Sequence, residues 1–302
     1  MTKLASFTEE DSCTRLPLTP AKLGEFTHLS HADSILIKDA RRNGADRFTL
    51  TVQWPSVGGP GRYDTRILAQ TLRQTALFTA HAEYGVPTSH QTLLNRLDFD
   101  VIPTALDGGP QILDVDITVT KGHSRQPNAL RINFRIHRDG VTVATAESDF
   151  SSISPGAYRR IRGGHATFDW ASWAVPLPVP HEAVGRADAI EVSLSPGNRP
   201  GRWRLRNEPA HTLLFDHPVD HVPGLALLEA AQQAAHALLT PAGAPETTRA
   251  RITYERYVEF DAPCWLNAEV VTTGDSDHTT IHVTGSQNNA PAFHVKLNGP
   301  PR

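Results

Sequence analysis

The chain has 302 residues, of which 39% are hydrophobic, enough for two domains or for one domain built twice. Its formal net charge of -3 disfavours nucleic-acid binding, which usually needs a strongly basic face. Cys13 and Cys264 are too few and too distant to indicate a disulfide framework or a zinc site, so a reducing cytosol is the expected location. Neither a signal peptide nor a membrane span is predicted.

The first half of the chain predicts one helix among several strands. Residues 1–25 are interpreted as an N-terminal extension, and strand-like runs follow at 34–37 and 48–52. A helical period covers 67–78. Four further strands are predicted over 92–101, 112–120, 130–137 and 141–151.

A segment without clear periodicity, 154–181, separates this half from the next. We interpret it as an ordered crossover, because Trp170 and Trp173 would otherwise be exposed. Its cluster of arginines could hold a phosphate or an acidic carrier protein, or could be a solvated turn. The arginines concerned are Arg159, Arg160 and Arg162.

The second half repeats the order of the first. Strand-like runs at 189–194 and 203–205 precede a helix that starts near residue 224, and later strands are predicted over 250–260, 267–273, 279–284 and 292–297. The chain therefore contains two copies of one unit, at 26–153 and 182–302. Arg202 and Arg204 alternate along a strand, as either a basic docking stripe or an ordinary exposed face.

One long helix followed by a curved antiparallel sheet is the pattern of a hot-dog fold, of the α+β class. We therefore predict a tandem hot-dog fold, in which each sheet wraps a central helix. Hot-dog units commonly pair, and a tandem chain would form such a pseudo-dimer internally. In the helix alignment Gln70 corresponds to Glu229, and Arg73 corresponds to Gln232.

The segment 215–224 places two His-Asp pairs before a Pro-Gly break at the start of the second helix. The first amides of that helix lack intrahelical partners, so their positive end can polarise a thioester carbonyl. Alternatively, the aspartates fix the histidine rings in a structural loop. No metal is assigned, because Pro218 and the short spacing make convergence on one ion awkward. The candidate site-lining residues are Asp216, His217, Asp220, His221 and Gly224.

The step from Pro223-Gly224 to Glu229 resembles the helix start of hot-dog acyl-carrier dehydratases, although His217 and His221 lie closer to the proline than the histidine of those enzymes. A more specific resemblance is to the A-factor biosynthesis family of actinomycetes, which makes γ-butyrolactone and related signals. It rests on the run 215–224, the Leu-Leu-Glu-Ala-Ala helix, Val184-Gly185-Arg186 and the segment 81–87. The resemblance extends from about residue 26 to residue 296.

The resemblance implies transfer of a β-ketoacyl group from an acyl carrier protein to the hydroxyl of dihydroxyacetone phosphate, and then closure to a butenolide phosphate. It implies no cofactor. Glu229 and Arg73 are the implied catalytic residues, and the neighbouring glutamines would line the site. These glutamines are Gln70, Gln74, Gln232 and Gln233.

The chain departs from the family's Glu-x-x-Arg-Gln helix pattern, because each copy keeps only half of it. Glutamine can neither take a proton nor supply a charge to a phosphate. Arg73 and Glu229 could share one composite site or lie in separate sites. The remaining alternatives are a non-catalytic or substrate-altered relative that binds acyl ligands, and a hot-dog thioesterase or dehydratase.

Overall fold

A computed structural model describes residues 13–55, 63–106, 110–121, 129–167, 169, 174–240, 246–271 and 279–300. Trp170 and Trp173 of the predicted crossover lie outside these ranges. Thirteen strands among the described residues form one sheet. Those of the first half are β1 (Thr14–Arg15), β2 (Ile37–Gly44), β3 (Arg47–Trp54), β4 (Gln91–Val101), β5 (Gln111–Lys121), β6 (Ala129–Arg138) and β7 (Val141–Ile153). Those of the second half are β8 (Leu194–Ser195), β9 (Arg202–Leu205), β10 (Arg249–Tyr254), β11 (Cys264–Val271), β12 (Thr279–Gln287) and β13 (Ala290–Gly299).

The strand order is symmetric about the middle of the sheet. It runs β1-β2-β3-β5-β6-β7-β4-β10-β13-β12-β11-β9-β8, so β4 and β10 join the two halves in antiparallel pairing. From this junction outward, each half continues through its last strand and ends at its first. The two copies are therefore related by topology as well as by sequence.

Each half wraps one long helix, α2 (Thr65–Tyr84) or α4 (Gly224–Leu239). Shorter helices are α1 (Pro20–Thr27), which packs on α2, and α3 (Pro155–Arg162), which follows β7. The Asp64 side chain caps α2 by accepting from the Arg66 amide, and Gly85 ends it in the left-handed conformation. By contrast, α4 begins after Pro223 without a side-chain cap.

Two glutamines confirm the alignment of the helices. In the first half, Gln74 accepts a hydrogen bond from the Leu36 amide at 2.8 Å and donates to the Ser34 carbonyl at 2.8 Å. In the second half, Gln233 accepts from the Ser193 amide at 2.8 Å and donates to the Glu191 carbonyl at 2.7 Å. Each glutamine therefore bonds one backbone amide and one backbone carbonyl at the equivalent place in its repeat. In this alignment Gln70 is equivalent to Glu229, and Arg73 is equivalent to Gln232.

Several predicted boundaries differ from the structure. The first half of the predicted strand over 189–194 is a 3₁₀ turn, Ala189–Glu191, because Asp188 caps the Ile190 amide, and β8 begins only at Leu194. The predicted strand over 250–260 ends at Tyr254, where the next two amides both bond to the Ala292 carbonyl. Within residues 1–25, β1 pairs with β2, and most of α1 also lies there. The described part of the crossover contains α3, which the sequence did not predict.

Candidate functional site

A cavity of about 430 Å³ lies between α2 and the loop that precedes α4. It is bounded by the middle of α2, the segment 213–225 and residues 254–258 after β10. Most of its wall is apolar, including Leu72, Leu94, Leu97, Phe150, Leu227 and Leu228. The cavity can therefore enclose an aliphatic chain and exclude water from it.

Arg73 contributes a cation to this cavity wall. Its Nη1 donates to the Thr27 carbonyl at 3.2 Å, and the guanidinium lies near Asp216. Burial lowers the pKa of Arg73 to about 10, against the opposing effect of Asp216. The side chain stays charged at neutral pH, but its charge is partly desolvated, and such sites are enriched among functional residues.

Gln70 and the start of α4 add polar groups whose hydrogen-bonding capacity is not fully used within the protein. Gln70 donates to the Leu213 carbonyl at 2.9 Å, while its Oε1 is buried and has no hydrogen-bond partner among the described residues. The Ala226 and Leu227 amides bond to Pro223, and Gly224 and Leu225 line the cavity at the uncapped helix end. This helix end can stabilise a carbonyl oxygen that becomes negative.

The loop over the cavity is tied to the first half of the molecule by Asp216. This carboxylate accepts from the Ser30 amide at 2.6 Å and from the His31 amide at 3.3 Å, and His217 Nδ1 lies 3.1 Å away. Burial opposes ionisation, but these bonds hold the pKa of Asp216 below its usual range. Thus the loop before α4 covers α2 of the other half, and His217 is fixed in the cavity wall.

Asp220 and His221 are held from the other side by α3. Asp220 accepts from Tyr158 at 2.5 Å and from His221 Nδ1 at 2.7 Å. Arg162 is buried, pairs with Glu259 and donates to the Asp220 carbonyl at 3.0 Å. Arg162 is therefore consumed by structural bonds, contrary to its predicted role in binding phosphate or carrier protein, whereas Arg159 and Arg160 are exposed on α3.

Two histidines that the sequence analysis did not name as site residues meet beside Arg73. His28 lines the cavity, and its Nε2 lies 2.9 Å from Nε2 of the buried His81. Nδ1 of His81 lies 2.7 Å from the Val86 carbonyl oxygen. Burial, together with His81, Arg73 and His217, lowers the pKa of His28 to about 4. His28 is therefore neutral at physiological pH.

Glu229 lies in a different cluster. Its side chain is 0% exposed and forms a two-point ion pair with Arg186, at 2.6 and 2.7 Å. Although burial alone would raise the pKa of Glu229, Arg186 and Arg66 bring it down to about 2. A carboxylate held in this way does not take up a proton near neutral pH, so the geometry gives Glu229 a structural part instead of the expected acid-base part.

The structure thus divides the expected site residues into two groups. Gln70, Arg73 and Gly224 share the cavity with Asp216, His217 and His221 of the loop, whereas Asp220, Glu229, Gln232 and Gln233 are not among its lining residues. Gln74 lies against the Ser34–Leu36 backbone. Arg202 stacks on Trp265, and neither it nor Arg204 lines the cavity.

Sequence reasoning missed His28, Arg186 and Arg256, an exposed cation that lines the cavity. Arg186 lies in the Val184-Gly185-Arg186 segment of the family resemblance, and the repeat position of Gly185 in the first half is His28. Among the described residues, no helix is long and apolar enough to cross a membrane.

The sequence profile of the A-factor biosynthesis hotdog domain matches residues 17–154 and again 172–299. A protein of Streptomyces virginiae named 2-oxo-3-(phosphooxy)propyl 3-oxoalkanoate synthase is 34% identical over 280 residues, covering 89% of this chain and 94% of the relative. A relative of the same name from Streptomyces coelicolor is 36% identical, covering 85% and 84%.

Among solved structures, a putative oleoyl thioesterase of Lactobacillus plantarum matches with a TM-score of 0.56 at 12% identity, covering 84% of this chain and 96% of that one. An acyl-ACP thioesterase of Bacteroides thetaiotaomicron gives a TM-score of 0.53 at 16% identity, covering 82% and 96%. These likenesses concern the fold alone. With the double profile match, they confirm the predicted tandem hot-dog fold, and the chain belongs to the A-factor biosynthesis hotdog family.

Proposed function

We propose that the chain is an acyltransferase that joins a β-ketoacyl group from an acyl carrier protein to the hydroxyl of dihydroxyacetone phosphate. The name shared by the relatives describes an ester between a 3-oxoalkanoyl group and a 2-oxo-3-(phosphooxy)propyl group. The product would be the precursor of a butenolide phosphate. We place the reaction in the cytoplasm, where the proposed substrates are found.

The observation that carries this proposal is the composition of the cavity beside α2. An apolar wall suits the acyl chain, while Arg73, Gln70 and the uncapped start of α4 supply polar groups to its wall. In the proposed transfer, the hydroxyl oxygen bonds to the thioester carbon and the carbon–sulfur bond breaks. The helix end stabilises the oxyanion, and Gln70 Oε1 accepts a hydrogen bond from dihydroxyacetone phosphate.

The charges around the mouth of the cavity suggest how the two charged substrates are held. Arg73 inside the wall and Arg256 at the surface are the candidates for binding the phosphate. Arg159 and Arg160 lie on α3, whose Tyr158 and Arg162 contact the 220–221 loop. We propose this exposed side of α3 as the surface for an acidic carrier protein, and we propose that the two repeats do the work of a hot-dog dimer.

The test is reconstitution with purified β-ketoacyl carrier proteins of several chain lengths and dihydroxyacetone phosphate, followed by mass spectrometry. The expected products are the phosphorylated ester, or its butenolide, and carrier protein with a free thiol. A parallel reaction without the acceptor is the control. Free acid at equal rates in both reactions would identify a thioesterase, an enoyl thioester would identify a dehydratase, and acyl binding without turnover would identify a non-catalytic relative.

A further inference from the structure

We propose that His28 is the general base that accepts the proton of the attacking hydroxyl, and that His81 is the residue that positions it. This inference rests on the proposed function, since it supplies the base that the acyl transfer needs. Neither residue lies in the helix pattern or the loop that the sequence pointed to.

The hydrogen bonds determine which nitrogen of His28 is free. A carbonyl oxygen only accepts, so His81 Nδ1 must donate to Val86 at 2.7 Å. With its proton on Nδ1, His81 offers the lone pair of Nε2, and His28 Nε2 donates to it across 2.9 Å. His28 Nδ1 is left as the acceptor, and it has no hydrogen-bond partner among the described residues. This chain of bonds orients a base in the way that a buried acceptor orients the histidine of a hydrolase.

The backbone at His28 supports a functional reason for this residue. His28 ends α1 with a φ of 53°, in the left-handed region that few residues other than Gly adopt, with Asn, Asp and His the most frequent among them. The second repeat has the same turn at Gly185, with a φ of 65°. The amides agree as well, since Leu29 bonds to Gly24 in one repeat and Arg186 bonds to His181 in the other. A glycine fits this position without strain, whereas the copy that has the cavity carries a histidine there.

The groups around His28 keep its ring in the unprotonated form that a general base requires. His81 and Arg73 face it from α2, His217 faces it from the loop before α4, and Glu25 faces it from α1. Burial and the first three groups disfavour the charged imidazole, and Glu25 is the opposing carboxylate. The ring is thus unprotonated at neutral pH, and protonation during the reaction brings a cation beside the developing oxyanion.

The proposed step conserves atoms and protons. The hydroxyl oxygen of the triose bonds to the thioester carbon while its proton moves to His28 Nδ1. The tetrahedral intermediate then collapses, the carbon–sulfur bond breaks, and the proton on Nδ1 passes to the departing sulfur. The carrier leaves as a thiol, and His28 returns to its neutral form without an external acid or base.

The first test compares the unaltered protein with His28→Asn, because asparagine tolerates the left-handed conformation and should preserve the turn. We expect the single-turnover rate of ester formation to fall by about 10²–10⁴-fold, the range for loss of a general base, with thermal stability retained. His165→Asn, at an exposed histidine outside the cavity, is the matched control and should keep its rate. His217→Asn tests the neighbouring cavity imidazole.

The outcomes separate the two proposals. If the unaltered protein makes no ester with any acyl chain, the proposed function fails and the role of His28 fails with it. If the unaltered protein is active and folded His28→Asn keeps its rate within about threefold, only the inference about His28 is overturned. Loss of activity in His217→Asn with retention in His28→Asn would assign the base to His217 instead.

Two further measurements distinguish a base from a structural residue. In the unaltered protein, the single-turnover rate should be constant from pH 8 to about 5 and decrease below that, as the pKa of about 4 requires. His81→Leu removes a partner that lowers this pKa, so the acidic limb should move to higher pH. Imidazole ¹⁵N shifts should identify the Nε2–H tautomer of His28 and the Nδ1–H tautomer of His81. An Nδ1–H tautomer of neutral His28 would overturn the assignment.

Discussion

The two halves of the molecule share one topology but treat the same positions in opposite ways. Beside α4, Glu229 is neutralised by Arg186, and across the molecule the start of α2 is capped by Asp64. Beside α2, the residue equivalent to Glu229 is Gln70, whose Oε1 has no hydrogen-bond partner among the described residues. The start of α4 has no side-chain cap. The half around α4 pairs its buried polar groups within the protein and is called the closed half below. The half around α2 leaves polar groups facing the cavity and is called the open half.

This comparison teaches that duplication allows one copy to become structural while the other keeps binding capacity. Arg73 is charged in a partly desolvated place where the second repeat has the neutral Gln232. His28 occupies a strained turn where the second repeat has Gly185. Such costs are commonly retained at functional sites, because selection for activity offsets a small loss of stability.

The largest expected effect concerns the closed half. Glu229→Gln removes the charge that neutralises the partly buried Arg186 and should destabilise the fold by about 3 kcal/mol, the lower end of the range for a broken buried pair, measured by urea unfolding. Adding Arg186→Met to Glu229→Gln removes the unpaired cation and should recover much of the loss. If Glu229→Gln abolished turnover while unfolding as the unaltered protein does, the structural interpretation of Glu229 would be wrong.

The same residue gives a pH dependence of stability. The pKa of Glu229 is lowered from its usual value near 4.5 to about 2 in the folded state, so its contribution is complete above the usual value. That contribution is lost as the pH falls toward 2. The difference in unfolding free energy between the unaltered protein and Glu229→Gln should therefore shrink between about pH 5 and pH 2.

The next effect concerns the open half. Arg73→Gln gives the first repeat the residue of the second, and we expect kcat/KM for ester formation to fall by about 10²-fold, as for a lost charge-assisted bond to the phosphate. Thermal stability should be unchanged or raised, because burial already disfavours the charge of Arg73. Gln232→Leu is the matched change in the closed half and should keep the rate. Equal losses in both variants would remove the distinction between the halves.

The sequence predicted the fold from features that are local. Periodic apolar residues predict both long helices, and the alignment of Gln70 with Glu229 is confirmed by the hydrogen bonds of Gln74 and Gln233. The composition of the site was only partly predictable. Asp216 lies 186 residues from Ser30, and no local pattern indicates that this loop closes over the helix of the other repeat.

The remaining misses have physical reasons as well. Arg162 belongs to a run of arginines that could have been exposed, and only the tertiary structure places it against Glu259. His28 carries no motif, because its importance depends on a left-handed φ and on contact with a residue 53 positions away. Chemistry that depends on long-range contacts requires the structure, whereas periodicity suffices for the helices.

The smallest expected effect tests whether the halves are equivalent where no ligand is involved. Gln74→Leu leaves the Leu36 amide and the Ser34 carbonyl without their partner and should cost about 1–3 kcal/mol of unfolding free energy. Gln233→Leu leaves the corresponding two groups unpaired and also removes a donor to Glu229, so its cost should be higher by about 1 kcal/mol. A larger cost at Gln74 would contradict the additional hydrogen bond that Gln233 donates to Glu229 in the second half. If the two variants lose similar unfolding free energy, apart from the bond to Glu229, the two repeats differ mainly at the residues that face the cavity.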